Sequence, residues 1–566
     1  MKKMTRSILL VLVSVALFYS CHKPGNKLSK YIPKDAYVVF DFNTKSVMDK
    51  ASKANISFDS LARALNDEKS DSSIQKAINK WNDIKNSGLD LDQPIYGFVK
   101  TGGSIMAGQS STNGFVFALK DASAFEKYLK NEKPLGEIKK GENYSYLALG
   151  DDYIAGWNDD VVIIAQKHAG ASSPGTYATG EGTLTQQMLT TLFAQKESES
   201  INNATGFPEM EKQNGDMAFF INSENQPVNP ILGMTKLSDI SKGSYVVGAA
   251  NFDDGQITFS IKSHSGQAMT DLMKKYPYRP INTEMLDRYP SQIEAFLIAS
   301  FNPKLISGLF KYLGVDALIT SGLQQEGLSF SLDDIVNTFK GDIAVIGSDF
   351  GITTKTISSY GGYKLPQPVT TTIPQYKLLV NATVGDKASY DKVAGNLAQK
   401  GWMVQQNGQY IIPAMNTAGF EFKVTDKNLY IASTPELLQQ YESGTSNKSN
   451  LPADISNEIK GKACAFYFNI NQVLQVVPQP NSEEDRTVLE QSKATFKDIL
   501  ATFDVPGGAE TSGKMVLRLM NDKENSLAAM TRYIVEVAKM EQNLKGKDIE
   551  LSMPDSTAIP PPPPSK

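Results

Sequence analysis

The chain has 566 residues and a net charge of −4 at neutral pH, with 41% hydrophobic, 9% aromatic and 21% charged residues. This composition excludes a disordered chain, and the mildly acidic balance gives no electrostatic drive toward nucleic acid. The length exceeds what one hydrophobic core usually serves, so at about 100 to 200 residues per domain we expect at least two domains.

The first 20 residues predict an export signal. A positively charged start (MKKMTR) precedes an apolar run over residues 8–19, which is shorter than the ~20 residues that a membrane-spanning helix needs. Cys21 follows Ser20, and the whole pattern resembles a bacterial lipoprotein signal, in which the cysteine is lipidated on its sulfur and becomes the new N-terminus. We therefore predict a signal peptide at residues 1–20, lipidation of Cys21 and a polar tether at residues 21–29.

Strands are predicted wherever β-branched and aromatic residues cluster between turn residues. Such runs cover residues 31–43, 95–100 and 115–119. Acidic turns at residues 151–152 and 158–160 separate further β-rich runs and predict hairpins.

Helices are predicted where apolar residues recur at a spacing of three to four. Residues 58–65 and 74–84 show this spacing. Asp121 is the predicted N-cap of a further helix, whose buried face would carry Phe125 and Leu129.

The order of these blocks recurs in the second half of the chain. An internal repeat of this kind is stronger evidence about the fold than any single motif. Five matches in one order are hard to ascribe to chance. The matches are Phe42-Asn43 with Phe301-Asn302, Asp121 with Asp386, residues 159–165 with 426–432, residues 218–222 with 465–469, and residues 268–270 with 529–531.

We interpret the recurrence as two homologous α+β modules, residues 30–276 and 280–544, joined by residues 277–282. A single continuous domain with chance similarity is the alternative. Strands that come in hairpin pairs with separating helices predict antiparallel sheets with helices packed on one face.

Proline, glycine and serine mark the stretches that we expect to be loops or linkers, at residues 168–182, 365–374 and 478–485. The tail, residues 545–566, carries the run Pro560–Pro564, which predicts an exposed polyproline II rod. Both a frayed tail and a docking peptide for an aromatic groove fit this run.

The sequence pattern that comes nearest to a known catalytic motif is that of serine acyl-transfer enzymes. Ser73-Ile74-Gln75-Lys76 supplies S-x-x-K, and Lys100-Thr101-Gly102 supplies K-T-G. Too few residues separate the two motifs to hold a large acyl-enzyme fold, so we assign no catalytic residue.

The sequence gives equally little support for a metal site or a cofactor site. The histidines, His22, His168 and His264, are not clustered, which argues against zinc. No phosphate-binding loop motif is present. Hairpin turns and helix caps explain the paired acids better than calcium does. These pairs are Asp151-Asp152, Asp159-Asp160, Asp253-Asp254 and Asp333-Asp334.

Cys464 lies in an apolar strand, and the repeat places Met217 at the counterpart position, which predicts a core position rather than a catalytic thiol. Trp81, Trp157 and Trp402 fall within helix, hairpin and strand patterns. We expect them in the core rather than on a sugar-binding platform.

The signal, the opening YIPKDAYVVFDFN at residues 31–43 and the repeated blocks together resemble the Bacteroidetes lipoproteins of domain-of-unknown-function family 4836. The resemblance covers most of the mature chain and implies no catalytic residues, because the family has no established activity. In lipoproteins of that phylum, acidic residues just after the cysteine accompany surface display. Residues 22–26 (HKPGN) have none, so the resemblance implies a periplasm-facing anchor, with the outer membrane favoured over the inner.

We therefore expect a lipid-anchored, non-catalytic protein of the cell envelope whose modules form a binding or scaffolding surface. Its predicted partners are the membrane, through Cys21, and an envelope protein or glycan, with no nucleic acid and no cofactor. One alternative is an envelope hydrolase that acts on glycan or peptide with carboxylates from separate hairpins. Another is capture of a small apolar ligand in a cavity of one module.

Overall fold

The computed structural model covers the folded body of the chain. The predicted signal peptide, Cys21, the Pro-rich tail and the helix expected at residues 58–65 lie outside the described residues. The described ranges are 28–57, 71–102, 110–132, 136–149, 153–168, 181–226, 235–359, 367–406, 408–444, 451–480 and 482–537.

The strands are numbered in chain order. They are β1 Val38–Phe42, β2 Ile95–Gly102, β3 Ser110–Ala118, β4 Lys139–Lys140, β5 Ser145–Ala148, β6 Tyr153–Trp157, β7 Val161–His168, β8 Met217–Asn222, β9 Tyr245–Asp253, β10 Gln256–His264, β11 Ala295–Ser300, β12 Phe339–Ser359, β13 Gln367–Val384, β14 Val404–Gln406, β15 Gln409–Ile411, β16 Glu421–Val424, β17 Asn428–Ala432, β18 Lys462–Phe468, β19 Phe496–Asp504 and β20 Glu510–Leu519.

The helices are numbered in the same way. They are α1 Thr44–Lys53, α2 Asp71–Lys85, α3 Ala122–Asn131, α4 Glu181–Phe193, α5 Phe207–Met210, α6 Leu237–Ser241, α7 Gln267–Lys275, α8 Glu284–Asp287, α9 Lys304–Leu313, α10 Asp316–Gln325, α11 Leu332–Asn337, α12 Lys387–Gln399, α13 Pro413–Thr417, α14 Pro435–Ser443, α15 Ala453–Ile459, α16 Ile470–Gln475, α17 Glu483–Thr495 and α18, which is described over 526–537.

Most strands belong to one large antiparallel sheet, which confirms the predicted α+β class. The spatial order is β4-β5-β6-β7-β3-β2-β1-β8-β9-β10-β20-β19-β18-β11-β12-β13-β17-β16. β14 and β15 pair separately as a two-stranded ribbon.

The two halves of the chain pair their strands in the same pattern. In the first half β1 lies between β2 and β8, and in the second half β11 lies between β12 and β18. β10 and β20 then pair antiparallel from Gln256–Arg518 to His264–Glu510. One sheet therefore runs without a break from the first half into the second. The tandem duplication itself stays a prediction.

The sheet has two sides that carry different side chains. Directly paired residues of antiparallel strands point to the same side, and successive residues of a strand alternate between sides. We call the side that carries Val39 and Phe296 the core side, and the side that carries Phe40 and Leu297 the strip side.

Helices pack on both sides of the sheet, so the prediction of helices on one face is wrong. On the core side, α4 and α5 cover the first half, and α14 and α15 cover the second. On the strip side, Trp81 of α2 and Phe125 of α3 pack over Ile95, while Tyr390 of α12 packs with Val384. Strands of the outer parts of the sheet are apolar on both sides, and each side needs its own cover.

Two stretches that we expected to be linkers belong to regular elements. Gln367–Pro374 forms the outer part of β13 and pairs with β12 from Ser359 to Ile352. Glu483 begins α17, with Ser482 as its cap. Backbone pairing and capping satisfy the polar main chain in both places, although the proline content suggested loops.

The expectation that Trp402 lies in the core is wrong. Its side chain is 59% exposed, whereas Trp81 and Trp157 are each 1% exposed, as predicted. Gly401 takes a left-handed conformation after α12, and this turn directs Met403 rather than Trp402 into the cluster around Tyr390.

The first and second halves also interlock through helices at the chain ends. Val47 and Ala51 of α1 form a small cluster with Leu527 of α18. Beneath α1, the fully buried carboxylate of Asp216 accepts hydrogen bonds from Lys50 Nζ at 2.6 Å and from the backbone N–H of Phe252 at 2.6 Å. No helix in the described ranges is long and apolar enough to cross a membrane.

Candidate functional site

The residues that sequence reasoning weighed for chemistry do not converge on one site in the described ranges. Ser73 and Lys76 lie in α2, and Lys100–Gly102 form the end of β2. Asp334 accepts hydrogen bonds from Ser331 as part of the cap of α11, as expected for a paired acid. Within the described residues, no group of three or more histidine, cysteine or acidic side chains is placed to hold a metal ion. Cys21 lies outside them.

The strip side of the sheet carries two rows of apolar residues that cross its strands. The first row is Phe115, Gly97, Phe40, Phe219, Gly248, Ile261, Gly513, Phe503, Cys464, Ala299 and Ile343. The second row is Phe117, Ile95, Phe42, Met217, Ala250, Phe259, Met515, Ala501, Phe466, Leu297 and Val345. Neither row contains a charged residue.

The middle of these rows is open to solvent. At one end Ile95 and Phe117 lie under α2 and α3, and Phe42 packs against Val47 and Ala51 of α1. Leu297 is 43% exposed, Phe466 and Phe503 are each 40% exposed, and Met217 is 37% exposed. We call the part of the two rows from β1 to β12 the apolar strip. At about 4.8 Å between strands, the strip is about 40 Å long.

Aromatic rings lie over glycines of neighbouring strands within the strip. A Cβ added to Gly97 would stand 2.1 Å from the ring of Phe40, one added to Gly248 would stand 2.4 Å from Phe219, and one added to Gly513 would stand 2.8 Å from Phe503. The rings therefore lie along the sheet instead of standing upright from it. The strip is smooth for that reason.

The opposite side of the same central strands is polar. Ser260 and Lys262 of β10 are half-buried there beside Ser512 and Lys514 of β20, which are exposed. Lys262 Nζ pairs with Glu510 at 2.9 Å. At the junction of the two halves, the apolar residues thus face the strip side and the charged residues face the core side.

Cys464 and Met217 belong to the strip, so the prediction that both are core residues is wrong. Cys464 is half-buried on β18, and its neighbours Ala463 and Ala465 take the buried core side. Burial raises the pKa of the Cys464 thiol. The two-residue period of a strand, rather than its overall apolarity, decides which residues are covered.

A polar cleft of about 690 Å³ lies in the first half of the chain. Asp35, Glu199 and Glu224 line it together with Lys100. Lys100 Nζ pairs with Asp35 at 2.7 Å, and Glu224 accepts a hydrogen bond from the backbone N–H of Gly243 at 3.3 Å. The cleft is therefore lined by carboxylates from separate segments of the chain.

Asp41 and Glu211 form a second acidic group on the core side. Burial raises the pKa of Asp41 to about 6; the nearby Glu211 raises it as well, and the hydrogen bond from the Ala218 backbone N–H at 2.9 Å lowers it. Burial also raises the pKa of Glu211 and that of Tyr96, which lies opposite Asp41 on β2. Neither carboxylate lines the polar cleft.

Sequence reasoning missed the apolar strip. The matched segments 218–222 and 465–469 overlap β8 and β18, which cross the strip. The available signal was the apolar residues or glycine at alternate positions of β10 and β20, next to the almost continuous apolar sequence of β8 and β9. That pattern predicts apolar surface on a second side of the sheet, but the sequence does not tell which part of it a helix covers.

The chain was compared with protein-family models, with curated proteins and with solved structures. A family model described as "Domain of unknown function (DUF4836)" matches residues 29–477. No curated protein matches the chain. Crystal form III of TP0453 matches with 13% sequence identity and a TM-score of 0.22, covering 46% of this chain and 91% of the other. Crystal form I of TP0453 matches with 10% identity and a TM-score of 0.22, covering 46% and 90%.

Proposed function

The chain belongs to the DUF4836 family of unknown function, and from that premise we propose that it is a non-catalytic, lipid-anchored envelope protein that binds a partner on the apolar strip. The predicted DUF4836 family is confirmed, and the identity as a Bacteroidetes lipoprotein stays a prediction. Lipidation of Cys21, export and a periplasm-facing anchor belong to the proposal. So does the origin of the strip in two duplicated modules, residues 30–276 and 280–544, which the recurring strand pairing supports.

The exposure of the strip is the observation that carries the binding role. Leu297 and Phe466 are directly paired across β11 and β18 and are each at least 40% exposed. Soluble proteins seldom expose contiguous apolar surface of more than a few hundred Å² unless it binds something. With two rows of side chains about 7 Å apart, the strip covers roughly 500 Å².

Both halves of the chain contribute to this surface. The rows cross from Phe259 and Ile261 on β10 to Met515 and Gly513 on β20 without a polar interruption. Neither half alone presents the full length of the strip. A surface shared in this way suits one elongated partner that spans both halves.

Site-specific photocrosslinking tests the binding role. A photoreactive phenylalanine analogue is placed at Phe466 in the strip and, as a matched control, at Leu318, which is 71% exposed on α10. We expect irradiation of cells to give an adduct at position 466 that mass spectrometry identifies, and none at position 318. Equal labelling at both positions, or none at either, contradicts a binding role for the strip.

Membrane partitioning tests the anchor. The Cys21→Ala protein is expected in the soluble fraction, and the wild-type protein in the membrane fraction, because acyl chains contribute about 0.8 kcal/mol per buried CH₂. A Cys21→Ala protein that still partitions with membranes contradicts lipid anchoring.

A hydrolase remains the second candidate function, and the polar cleft is the observation that favours it. Asp35, Glu199 and Glu224 approach one cleft from separate segments, and a pair of carboxylates is the usual machinery for glycoside hydrolysis. Hydrolysis of envelope glycans or peptides by the purified protein, lost in both Glu199→Gln and Glu224→Gln, would support it. Wild-type protein that hydrolyses neither substrate class contradicts it.

A further inference from the structure

We infer that the protein forms a two-fold symmetric dimer through the outer part of strand β12, so that the partner at this surface is a second copy of the same chain. The surface is one edge of a two-stranded arm, which residues 351–359 of β12 and residues 367–375 of β13 form. The inference goes beyond the proposed function, because the apolar strip crosses β12 at Ile343 and Val345 and does not include the arm.

The arm extends beyond the rest of the large sheet. β11 pairs with β12 as far as Gly347, and β17 pairs with β13 as far as Leu379. Over the length of the arm the two strands pair with each other, and no other strand of the described ranges joins them. At about 3.4 Å per residue the arm is about 27 Å long. Among the described residues, both of its long edges therefore lack a neighbouring strand.

Two prolines show which backbone groups of the arm point outward. Pro368 lies opposite Ser358 and Pro374 lies opposite Ile352, with no bulge between the two pairs. Proline has no N–H, so in an antiparallel ladder it belongs where that group would point away from the partner strand. These positions are therefore non-hydrogen-bonded pairs of the arm. Even-numbered residues of both strands consequently direct their N–H and C=O groups to the two outer edges.

The two edges of the arm differ for the same reason. On β13 the prolines at 368 and 374 remove two of the outward donors, and proline on an edge strand is a common device against pairing with another chain. The outward positions on β12 are Ile352, Thr354, Thr356 and Ser358. Each of these residues has its N–H. The β13 edge is thus blocked, and the β12 edge is open.

An open edge of this kind binds another β-strand through its backbone. A ribbon of two strands is marginally stable in water, whereas three or more strands stabilise one another. Residues 351–359 contain a single charged residue, Lys355, and are otherwise rich in threonine and isoleucine. An unblocked edge with high β propensity and low charge is the kind that pairs with a further chain.

A second copy of the chain supplies a matching edge. Two β12 edges related by a two-fold axis run antiparallel, so outward N–H groups of each copy meet outward C=O groups of the other. An axis at Lys355 would place two like charges directly opposite each other, which is destabilising. An axis at Thr356 instead places Lys355 opposite Ile357 of the second copy and pairs Thr354 with Ser358.

The pairing about Thr356 forms about six backbone hydrogen bonds, two for each hydrogen-bonded residue pair. It joins two arms into a sheet of four strands. Because the β13 edge of each arm is blocked by proline, the assembly closes at two copies instead of continuing as a filament.

Sedimentation velocity of the mature Cys21→Ala protein tests the dimer without the proposed lipid. We expect a monomer–dimer equilibrium that shifts with protein concentration. Thr356→Pro removes an outward N–H at the centre of the pairing and takes no hydrogen bond from the arm itself, so it is expected to weaken dimerisation about tenfold or more. A Cys21→Ala protein that stays monomeric at its highest attainable concentration overturns the inference, as does undiminished dimerisation of Thr356→Pro.

Thr370→Pro is the matched control. Thr370 lies directly opposite Thr356 in the ladder, so the same substitution is made in the same residue pair. Its N–H points to the β13 edge, which the two native prolines already block. We expect Thr370→Pro to change dimerisation less than twofold. Equal weakening by the two substitutions would show that the β12 edge is not the specific contact and would overturn the inference.

Disulfide formation provides a second measurement that does not depend on proline. Opposite residues of a hydrogen-bonded antiparallel pair have Cα atoms about 5.5 Å apart, a distance that a disulfide can bridge. In a Cys21→Ala, Cys464→Ala background, which has no native cysteine, mild oxidation is expected to give a covalent dimer with Thr356→Cys and none with Thr370→Cys. No dimer with Thr356→Cys, or equal amounts with both, overturns the inference.

The outcomes separate this inference from the proposed function. Photocrosslinked adducts at position 466 together with a monomeric protein would overturn the dimer and leave a binding role for the apolar strip. A covalent dimer through position 356 without adducts at position 466 would support the dimer and contradict the binding role of the strip.

Discussion

Phe503 on β19 lies over Gly513 on β20, with ring carbons 2.8 Å from the point where a Cβ of residue 513 would stand. The same relationship holds between Phe219 on β8 and Gly248 on β9. In both pairs the glycine provides room for a ring that lies along the sheet. The two pairs differ in how freely the ring can move.

Alanine at the two glycines is expected to have unequal effects on the free energy of unfolding. At Gly248 the new Cβ would meet both the Phe219 ring at 2.4 Å and the backbone oxygen of Ser260 at 2.5 Å, and a backbone atom cannot move aside. At Gly513 the ring of Phe503 is 40% exposed and can swing toward solvent. We expect Gly248→Ala to cost about 3 kcal/mol and Gly513→Ala about 1 kcal/mol or less. Urea unfolding measures both, and equal costs would contradict the argument.

The ion pair between Asp216 and Lys50 is expected to be important for stability. The Asp216 side chain is 0% exposed, and its loss leaves the Phe252 backbone N–H and the Lys50 ammonium without their acceptor. Asp216→Ala is expected to cost about 3 kcal/mol in urea unfolding.

The matched control for this prediction is an exposed ion pair. Lys311 and Asp333 are 2.6 Å apart with side chains 50% and 47% exposed. Asp333→Ala is expected to cost less than about 1 kcal/mol, because exposed pairs are screened by water. A similar cost for both variants would show that burial does not decide the strength of these contacts.

Asp41 is expected to make stability fall as the pH rises through the weakly acidic range. Its pKa is raised in the folded protein to about 6, so the folded state retains a proton that the unfolded state loses from the ordinary value of 3.8 upward. Above pH 6 the folded protein must hold a buried charge. Each pKa unit is worth about 1.4 kcal/mol, which sets an upper limit of about 3 kcal/mol for this effect.

Asp41→Asn tests this pH dependence, because asparagine still accepts the hydrogen bond from the Ala218 backbone N–H but carries no charge. Relative to wild type, the variant is expected to gain stability between pH 4 and pH 7, measured by urea unfolding at each pH. If the difference in the free energy of unfolding between variant and wild type does not change with pH, the raised pKa of Asp41 does not affect stability.

The β10–β20 pair is expected to make the two halves of the chain interdependent. Residues 22–276 alone would leave the edge of β10 unpaired, together with the apolar side chains of Phe259 and Ile261. Exposed edges of this kind promote association. We expect this fragment to aggregate alone and to form a soluble complex when produced together with residues 277–544, as judged by size-exclusion chromatography. A monodisperse fragment would show that the first half folds independently.

Local features of the chain were predictable because they depend on neighbours in sequence. Asp121 caps α3 through a hydrogen bond from the Ala124 backbone N–H, and Asp386 caps α12 in the same way through Ser389. The hairpin at Asp253–Gly255 joins β9 and β10 as expected. A cap or a turn needs only a few consecutive residues, so its chemistry is complete in the sequence.

Misinterpreted segments share a physical cause. Gln367–Pro374 became a strand because β12 supplies a partner along its length. Trp402 became exposed because the turn at Gly401 directs Met403 inward. In both cases a backbone feature outweighed the local composition: pairing with another strand for residues 367–374, and a left-handed turn at the neighbouring glycine for Trp402.

The amino-acid sequence by itself determined the α+β class, the alternation of strands and helices and the helix caps, since periodicity and capping act over a few residues. Only the tertiary structure decided that Phe466 and Leu297 meet across β18 and β11 and stay open to solvent, while Ile95 lies beneath α2 and α3. Apolar residues on both sides of a strand look alike in sequence. Which side receives a helix depends on packing between segments that are far apart along the chain.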